Sequence, residues 1–348
     1  MRAGAVESSP HSEGAAEPLI DPFGRRIDYL RLSVTDRCDL RCVYCVSSDM
    51  AFLPRSEVLS LEELEMLSRR LVHLGIRKIR VTGGEPLVRR DVLTLLRRLG
   101  RMPGLEELVM TTNGALLPRY AAALREAGVQ RLNISLDTLD PERYRRITRN
   151  GRLERVLEGI EAARQCGFER IRLNVIAMRG RNDDEIPALV GYAAERGLDI
   201  GFIEEMPLGA IDGHDRGEAF MAAEEVQARV ASAFTLEAAP PRRLGGPARE
   251  LRIAGRDTRV GFIAPHTGCF CDTCNRLRLT VDGLLLPCLG REQGTDLRGL
   301  LRGGPEPDPA SLDQHIREAV AARPRSHGLD AAAVAQPQVM RFMSSTGG

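Results

Sequence analysis

From Tyr29 to about Met206, short apolar runs alternate with helical patterns, and few architectures accommodate that alternation. Tyr29–Val34, Lys78–Val81, Glu107–Met110, Arg131–Ser135, Arg170–Ala177 and Asp199–Ile203 read as strands rich in Val, Ile and Leu. Between them lie stretches with apolar residues three or four apart. The clearest carries Leu64, Leu67, Leu71 and Leu74 behind a Ser60–Glu63 capping box. A parallel strand can return only through a crossover, usually a helix, so six such units predict a parallel sheet. Sheet twist favours a curved, incomplete (β/α)6 barrel over a flat sheet. The polar clusters give an independent mark. Cys38–Cys45 follows the first strand, Gly83-Gly84-Glu85-Pro86 the second and Thr111–Gly114 the third, while Ser135-Leu136-Asp137 closes the fourth and Glu204–Pro207 the sixth. All fall at the carboxyl ends of strands, the face on which α/β barrels build their sites.

Three regions are expected. Residues 1–26 are polar, acidic and proline-broken and read as a disordered tail. Residues 27–240 form the barrel, its last part a helical connection ending at Pro240-Pro241. Residues 241–348 form a smaller α+β region with its own cysteines, and Gly303–Arg323 is expected to be partly loop. A formal net charge of +1 gives no basic excess to argue for nucleic acid, and no apolar run is long enough to span a membrane. Eight cysteines in uneven clusters without an export signal point to metal ligands in a reducing cytoplasm, not to disulfides.

The chemistry rests on those cysteines. Cys38-Asp-Leu-Arg-Cys42-Val-Tyr-Cys45 supplies three thiolates, one fewer than a closed four-iron cluster takes, so one iron stays open for another ligand. A structural zinc site usually shows four ligands in two pairs, and no fourth lies close by. The second set is Cys271-Asp-Thr-Cys274 with Cys288, again three, and Cys269 stands near as a possible fourth. A zinc ribbon is the alternative there. If Asn275–Thr280 is a strand, Arg276 and Arg278 share one face and Leu277 and Leu279 the other. Arg31, Arg80 and Arg172 lie in strands that are otherwise apolar; buried guanidinium groups need anions, and three of them suggest a polyanionic ligand. Gly83-Gly84 lets backbone approach closely and is expected to hold part of a ligand. His266 and Cys166 read as structural.

The first cysteine spacing resembles the signature of the radical S-adenosylmethionine (SAM) enzymes. The chain from Ile27 to Gly348 resembles the GTP 3′,8-cyclases of that superfamily, on Leu32–Cys38, Val81–Pro86, Phe202–Gly209, Phe270–Thr280, Pro287-Cys288-Leu289 and the terminal Gly347-Gly348. The resemblance implies two 4Fe-4S clusters, the SAM cluster on Cys38, Cys42 and Cys45 and an auxiliary cluster on Cys271, Cys274 and Cys288. It implies that Tyr44, Gly84, Ser135 and Met206 line the SAM site, and that Arg31, Arg80, Thr111, Arg172, Arg276, Leu277 and Arg278 bind GTP. Arg276, Arg278, Gly347 and Gly348 would serve catalysis. Arg172 stands where the family pattern has lysine, and Glu205 where it has an apolar or small residue. A homodimer, a flavodoxin- or ferredoxin-type electron donor, and a downstream cyclic pyranopterin monophosphate synthase follow from the same resemblance. Two other readings stand beside it: a radical SAM peptide maturase with an auxiliary cluster, and a non-catalytic two-cluster electron carrier.

Overall fold

A computed structural model describes residues 17–47, 50–304 and 308–347. Twelve strands make one sheet: β1 Tyr29–Ser33, β2 Lys78–Thr82, β3 Glu107–Thr112, β4 Arg131–Ser135, β5 Arg170–Ile176, β6 Asp199–Ile203, β7 Leu236–Ala238, β8 Arg249–Ile253, β9 Arg259–Ile263, β10 Arg276–Leu279, β11 Leu284–Leu286 and β12 Thr295–Asp296. Their order across the sheet is β12-β11-β10-β1-β2-β3-β4-β5-β6-β9-β8-β7. The strands β10, β1 to β6 and β9 run parallel, as the strand–helix alternation requires of the middle six. Antiparallel hairpins finish both edges.

Local signals explain the elements. The Leu61–His73 helix begins at a closed capping box: Glu63 N–H donates to Ser60 Oγ at 3.1 Å, and Ser60 N–H to Glu63 Oε2 at 2.7 Å. Its Leu64, Leu67 and Leu71 are fully buried, each contributing about 1.5–3 kcal/mol by leaving water. In β5 the alternation is strict, so Ile171, Leu173 and Val175 enter the core while Arg172, Asn174 and Ile176 face the barrel interior.

The carboxyl-terminal region shares this core. Leu277, Leu279, Leu285, Ile316 and Val320 belong to the same buried cluster as Leu71 and Ile79. Its strands extend the sheet at both ends, β10 beside β1 and β9 beside β6. Sequence reading missed this, because neither strand is adjacent in sequence to its partner.

One local expectation is corrected and another is sharpened. The tail expected through residue 26 is packed from residue 17 on: Leu19 and Asp21 are buried, and Ile20 bridges Arg26; residues 1–16 lie outside the described residues. In the stretch expected to be partly loop, Pro309–Ala321 is a helix that buries Leu312, Ile316, Ala319 and Val320. Asp308 caps it and Pro309 occupies its first turn, so the proline that reads as a breaker is a start signal.

Candidate active site

Three arginines form a row across neighbouring parallel strands. Arg278 on β10 is the register partner of Arg31 on β1, and Arg31 of Arg80 on β2. Like charges side by side on a sheet repel, and burial worsens it. Burial pulls Arg31 down to about 10, with Arg80 and Arg276 adding and Tyr29 offsetting. Burial also takes Arg278 well below its ordinary value, reinforced by Arg31 and Arg276. Burial pushes the Tyr29 phenol up, but Arg80, Lys78 and Arg31 together outweigh it and bring it to about 7. Among the described residues neither Arg80 nor Arg278 pairs with a carboxylate. Arg80 donates to the Tyr29 hydroxyl and to Thr111 Oγ1 at 3.2 Å; Arg278 Nη1 donates to the Gly347 carbonyl at 2.6 Å. Guanidinium groups in such a row suit an anionic acceptor.

The carboxyl ends of the strands open into a cavity of about 290 Å³. Cys38, Cys42 and Cys45 line it together with Cys271, Cys274 and Cys288, and Arg31, Arg276 and Arg278 are also on its wall. Burial pushes Cys38 up to about 12, Cys45 up to about 11 and Cys42 well above its ordinary value. The charges of Cys45, Asp137 and Cys38 also raise Cys42. Thiols raised in this way ionise when a metal binds them. Cys271 is likewise pushed by burial up to about 12, and Cys269 and Cys288 add to it. Cys274 differs: Arg276 and Arg323 outweigh its burial and bring it down to about 7. Each triplet is one thiolate short of a closed cube, so the donor sets suit two clusters with one open iron each. Cys269, Cys271 and His327 also bring their ligand atoms within 4.8 Å of one another.

Local backbone explains how the first triplet is held. Gly83 has φ +152°, and a Cβ there would lie 2.4 Å from the Thr35 carbonyl oxygen; at Gly84 it would lie 2.3 Å from that of Arg37. Gly84 N–H donates to Thr35 O at 2.8 Å and Glu85 N–H to Arg37 O at 2.9 Å. The Gly-Gly turn therefore clasps the cysteine loop through the Gly84 amide, while Gly83 and Gly84 both line the cavity. Glu85, to which sequence reasoning gave no role, is fully buried and accepts from Leu87 N–H, Asn113 N–H and Thr112 Oγ1 at 2.7–3.0 Å; burial raises it to about 7. Asn113 in turn donates to Asp39 at 2.6 Å inside the cysteine loop.

Tyr44, Gly84, Ser135 and Met206 all line the cavity, as does Thr111. The Tyr44 hydroxyl donates to Asp137 Oδ2 at 2.7 Å, and burial raises Asp137 to about 6. Three expected contacts are not on the wall. Leu277 is buried in the apolar core behind the sheet. Arg80 stands behind Thr111, which it hydrogen-bonds. Arg172 has an internal partner, Glu250, at 3.1 Å, which Arg172, Arg242 and Arg259 hold down to about 2 against burial.

The carboxyl-terminal tail enters the same space. Its Gln338 N–H donates to Pro207 O at 2.9 Å and Gly209 N–H to Val339 O at 2.7 Å, fixing it beside Met206. The Gly347 carbonyl accepts from both Arg31, at 3.2 Å, and Arg278. With φ +81° and a Cβ that would sit 2.1 Å from Thr82, position 347 admits only glycine. Gly348 lies outside the described residues. Glu205 pairs with His214 at 2.7 Å and Arg216 at 3.1 Å, and Arg216 donates to Gly209 O at 2.9 Å. It thus locks the loop after Met206. Arg216 lies in no motif, so nothing local could have shown this.

Family comparison agrees with this geometry. The model of the radical SAM superfamily matches residues 32–193, and that of Molybdenum Cofactor Synthesis C matches residues 198–329. The chain is 56% identical over 330 residues to GTP 3′,8-cyclase 1 of Pseudomonas aeruginosa, covering 94% of this chain and 99% of that protein. It is 53% identical to the GTP 3′,8-cyclase of Marinobacter nauticus, covering 95% and 98%. Among solved structures, SuiB of Streptococcus suis bound to S-adenosylmethionine aligns with a TM-score of 0.61 at 14% identity, covering 95% of this chain and 77% of that one, a likeness of fold. The chain therefore belongs to the radical SAM superfamily and, within it, to the GTP 3′,8-cyclase family.

Proposed function

We propose that the cavity holds GTP between the two cysteine triplets and that the chain converts it to (8S)-3′,8-cyclo-7,8-dihydroguanosine 5′-triphosphate. This is the first step of molybdenum cofactor biosynthesis, and the enzyme is a lyase using two 4Fe-4S clusters and SAM. When bound, these groups supply the reductive cleavage of SAM and the hydrogen abstraction at ribose C3′ that starts ring closure onto guanine C8.

The chain's own residues hold the reacting atoms in reach of one another. Cys38, Cys42 and Cys45 carry the SAM cluster; Tyr44, Gly84, Ser135 and Met206 surround SAM. Arg31, Arg276 and Arg278 grip the triphosphate with charge-assisted hydrogen bonds, while Arg80 and Thr111 support them. Cys271, Cys274 and Cys288 would hold the second cluster, whose open iron would be free to bind the base. Fixing the nucleotide at both ends places C3′ and C8 together and excludes water and oxygen. One observation carries this reading: both triplets and Arg31, Arg276 and Arg278 line one cavity.

A homodimer, a flavodoxin- or ferredoxin-type donor, a downstream pyranopterin synthase and a cytoplasmic setting belong to the same proposal. None of the helices of the described residues is long and apolar enough to cross a membrane. The test is anaerobic reconstitution with iron and sulfide, then reductant, SAM and GTP, with products followed by mass spectrometry. A cyclised GTP species with 5′-deoxyadenosine is expected. GTP-independent 5′-deoxyadenosine alone would leave the superfamily chemistry and remove GTP as substrate. Cys271→Ser should keep SAM cleavage and lose cyclisation.

A further inference from the structure

The amino-terminal segment reaches the second cysteine triplet through three buried charges. Asp21, Arg25 and Arg323 are 4%, 8% and 5% exposed, although each is a residue type that burial penalises heavily. Asp21 Oδ2 accepts from Arg25 Nε at 2.5 Å and from Arg323 Nε at 3.1 Å. Its Oδ1 accepts from Phe23 N–H and Arg25 N–H, both at 3.0 Å, so the carboxylate is fully used.

The two guanidinium forks then turn to backbone carbonyls around the cysteines. Arg25 donates to Cys271 O at 2.7 Å, to Pro324 O at 2.7 Å and to Arg325 O at 2.9 Å. Arg323 donates to Cys274 O at 3.0 Å, to Pro287 O at 2.6 Å and to Arg276 O. Every cysteine of the triplet thus has its own carbonyl, or that of the residue before it, tied to one of the two arginines. One carboxylate balances one cation, which leaves one positive charge beside three thiolates. Packing alone does not call for such a pair of forks, because an apolar plug would fill the space at lower desolvation cost.

We propose that Asp21, Arg25 and Arg323 are positioning residues for the second iron–sulfur site, so that the segment from residue 17 to 26 is part of that site. The inference rests on the triplet holding a cluster, as proposed above, and not on GTP being the substrate. Asp21 sets the two forks, the forks fix three separate chain segments, and their surplus charge favours the anionic cluster. Outer partners of this kind commonly set metal retention by about ten-fold or more.

The test isolates each site in the full chain. With Cys38, Cys42 and Cys45 replaced by alanine only the second cluster assembles, and with Cys271, Cys274 and Cys288 replaced only the first. Asp21→Asn keeps the shape and removes the charge; Arg323→Lys keeps the charge and removes the fork. Each is placed in both backgrounds, and iron release to a chelator is timed anaerobically with the electron paramagnetic resonance of the reduced cluster. Both substitutions should speed iron loss from the second site about ten-fold and alter its spectrum, leaving the first site unchanged. Equal losses at both sites, or an unchanged second site, would overturn the proposal. Arg323→Lys decides the case if Asp21→Asn does not fold. GTP turnover enters neither readout, so failure of the substrate assignment is recorded separately.

Discussion

Arg31 and Arg278 stand side by side on parallel strands and both donate to one acceptor, the carbonyl of Gly347. A half-buried and a buried cation converge on a neutral dipole contributed by the chain's own end. The arrangement binds the tail through charge-assisted hydrogen bonds.

Replacing Arg278 with alanine should weaken GTP binding about 10- to 100-fold, since a hydrogen bond to a charged group contributes about 1.5–3 kcal/mol. Arg278→Lys should restore only part, because an ammonium lacks the planar fork. Calorimetric titration of GTP into the reconstituted protein measures it. Wild-type affinity in Arg278→Ala would rule out the arginine row as the triphosphate site.

Gly84→Ala would drive a Cβ to 2.3 Å from the Arg37 carbonyl, backbone against backbone. Because that contact clasps the first cysteine loop, iron content should fall toward half while the second cluster remains. Mössbauer spectroscopy distinguishes the two populations. Retention of both clusters would mean that the loop can shift freely.

At Gly347 the expectation concerns turnover alone. Gly347→Ala combines a φ of +81° with a Cβ 2.1 Å from Thr82, so the tail must leave the cavity. Iron content and melting temperature should stay the same while cyclisation falls at least about ten-fold, the change expected from losing about 1.4 kcal/mol of positioning. Full activity would mean that the tail has no part in the reaction.

The Arg172–Glu250 pair gives a pH-dependent test. Glu250 is held down to about 2, against an ordinary value of 4.5, so its contribution is present above about pH 4.5 and is lost as pH falls toward 2. Glu250→Gln should therefore lower the melting temperature at pH 7, by the equivalent of at most about 3 kcal/mol. The difference from wild type should shrink steadily between pH 4.5 and 2.5. An equal difference at both ends of that range would show that packing, and not charge, stabilises the pair.

Much of this was legible in the chain order. Periods of two and three to four residues identify strands and helices, and a parallel sheet follows because each return needs a crossover. The cysteine triplets and Gly-Gly turns stood out because ligation and close backbone approach demand those residues at those spacings. Leu277 shows where resemblance and periodicity differ: it lies within a site motif, but strand alternation already placed its side chain on the face opposite Arg276 and Arg278, and there it is buried.

What only the tertiary structure decided are the partnerships across long sequence separations. Nothing near Arg172 in sequence names Glu250, and Asp21 meets Arg323 only when the sheet has closed β10 against β1. Periodicity reports which face of an element is buried. Which charge meets which across that buried face depends on the register and curvature of the assembled sheet, and those are set by packing of the whole core.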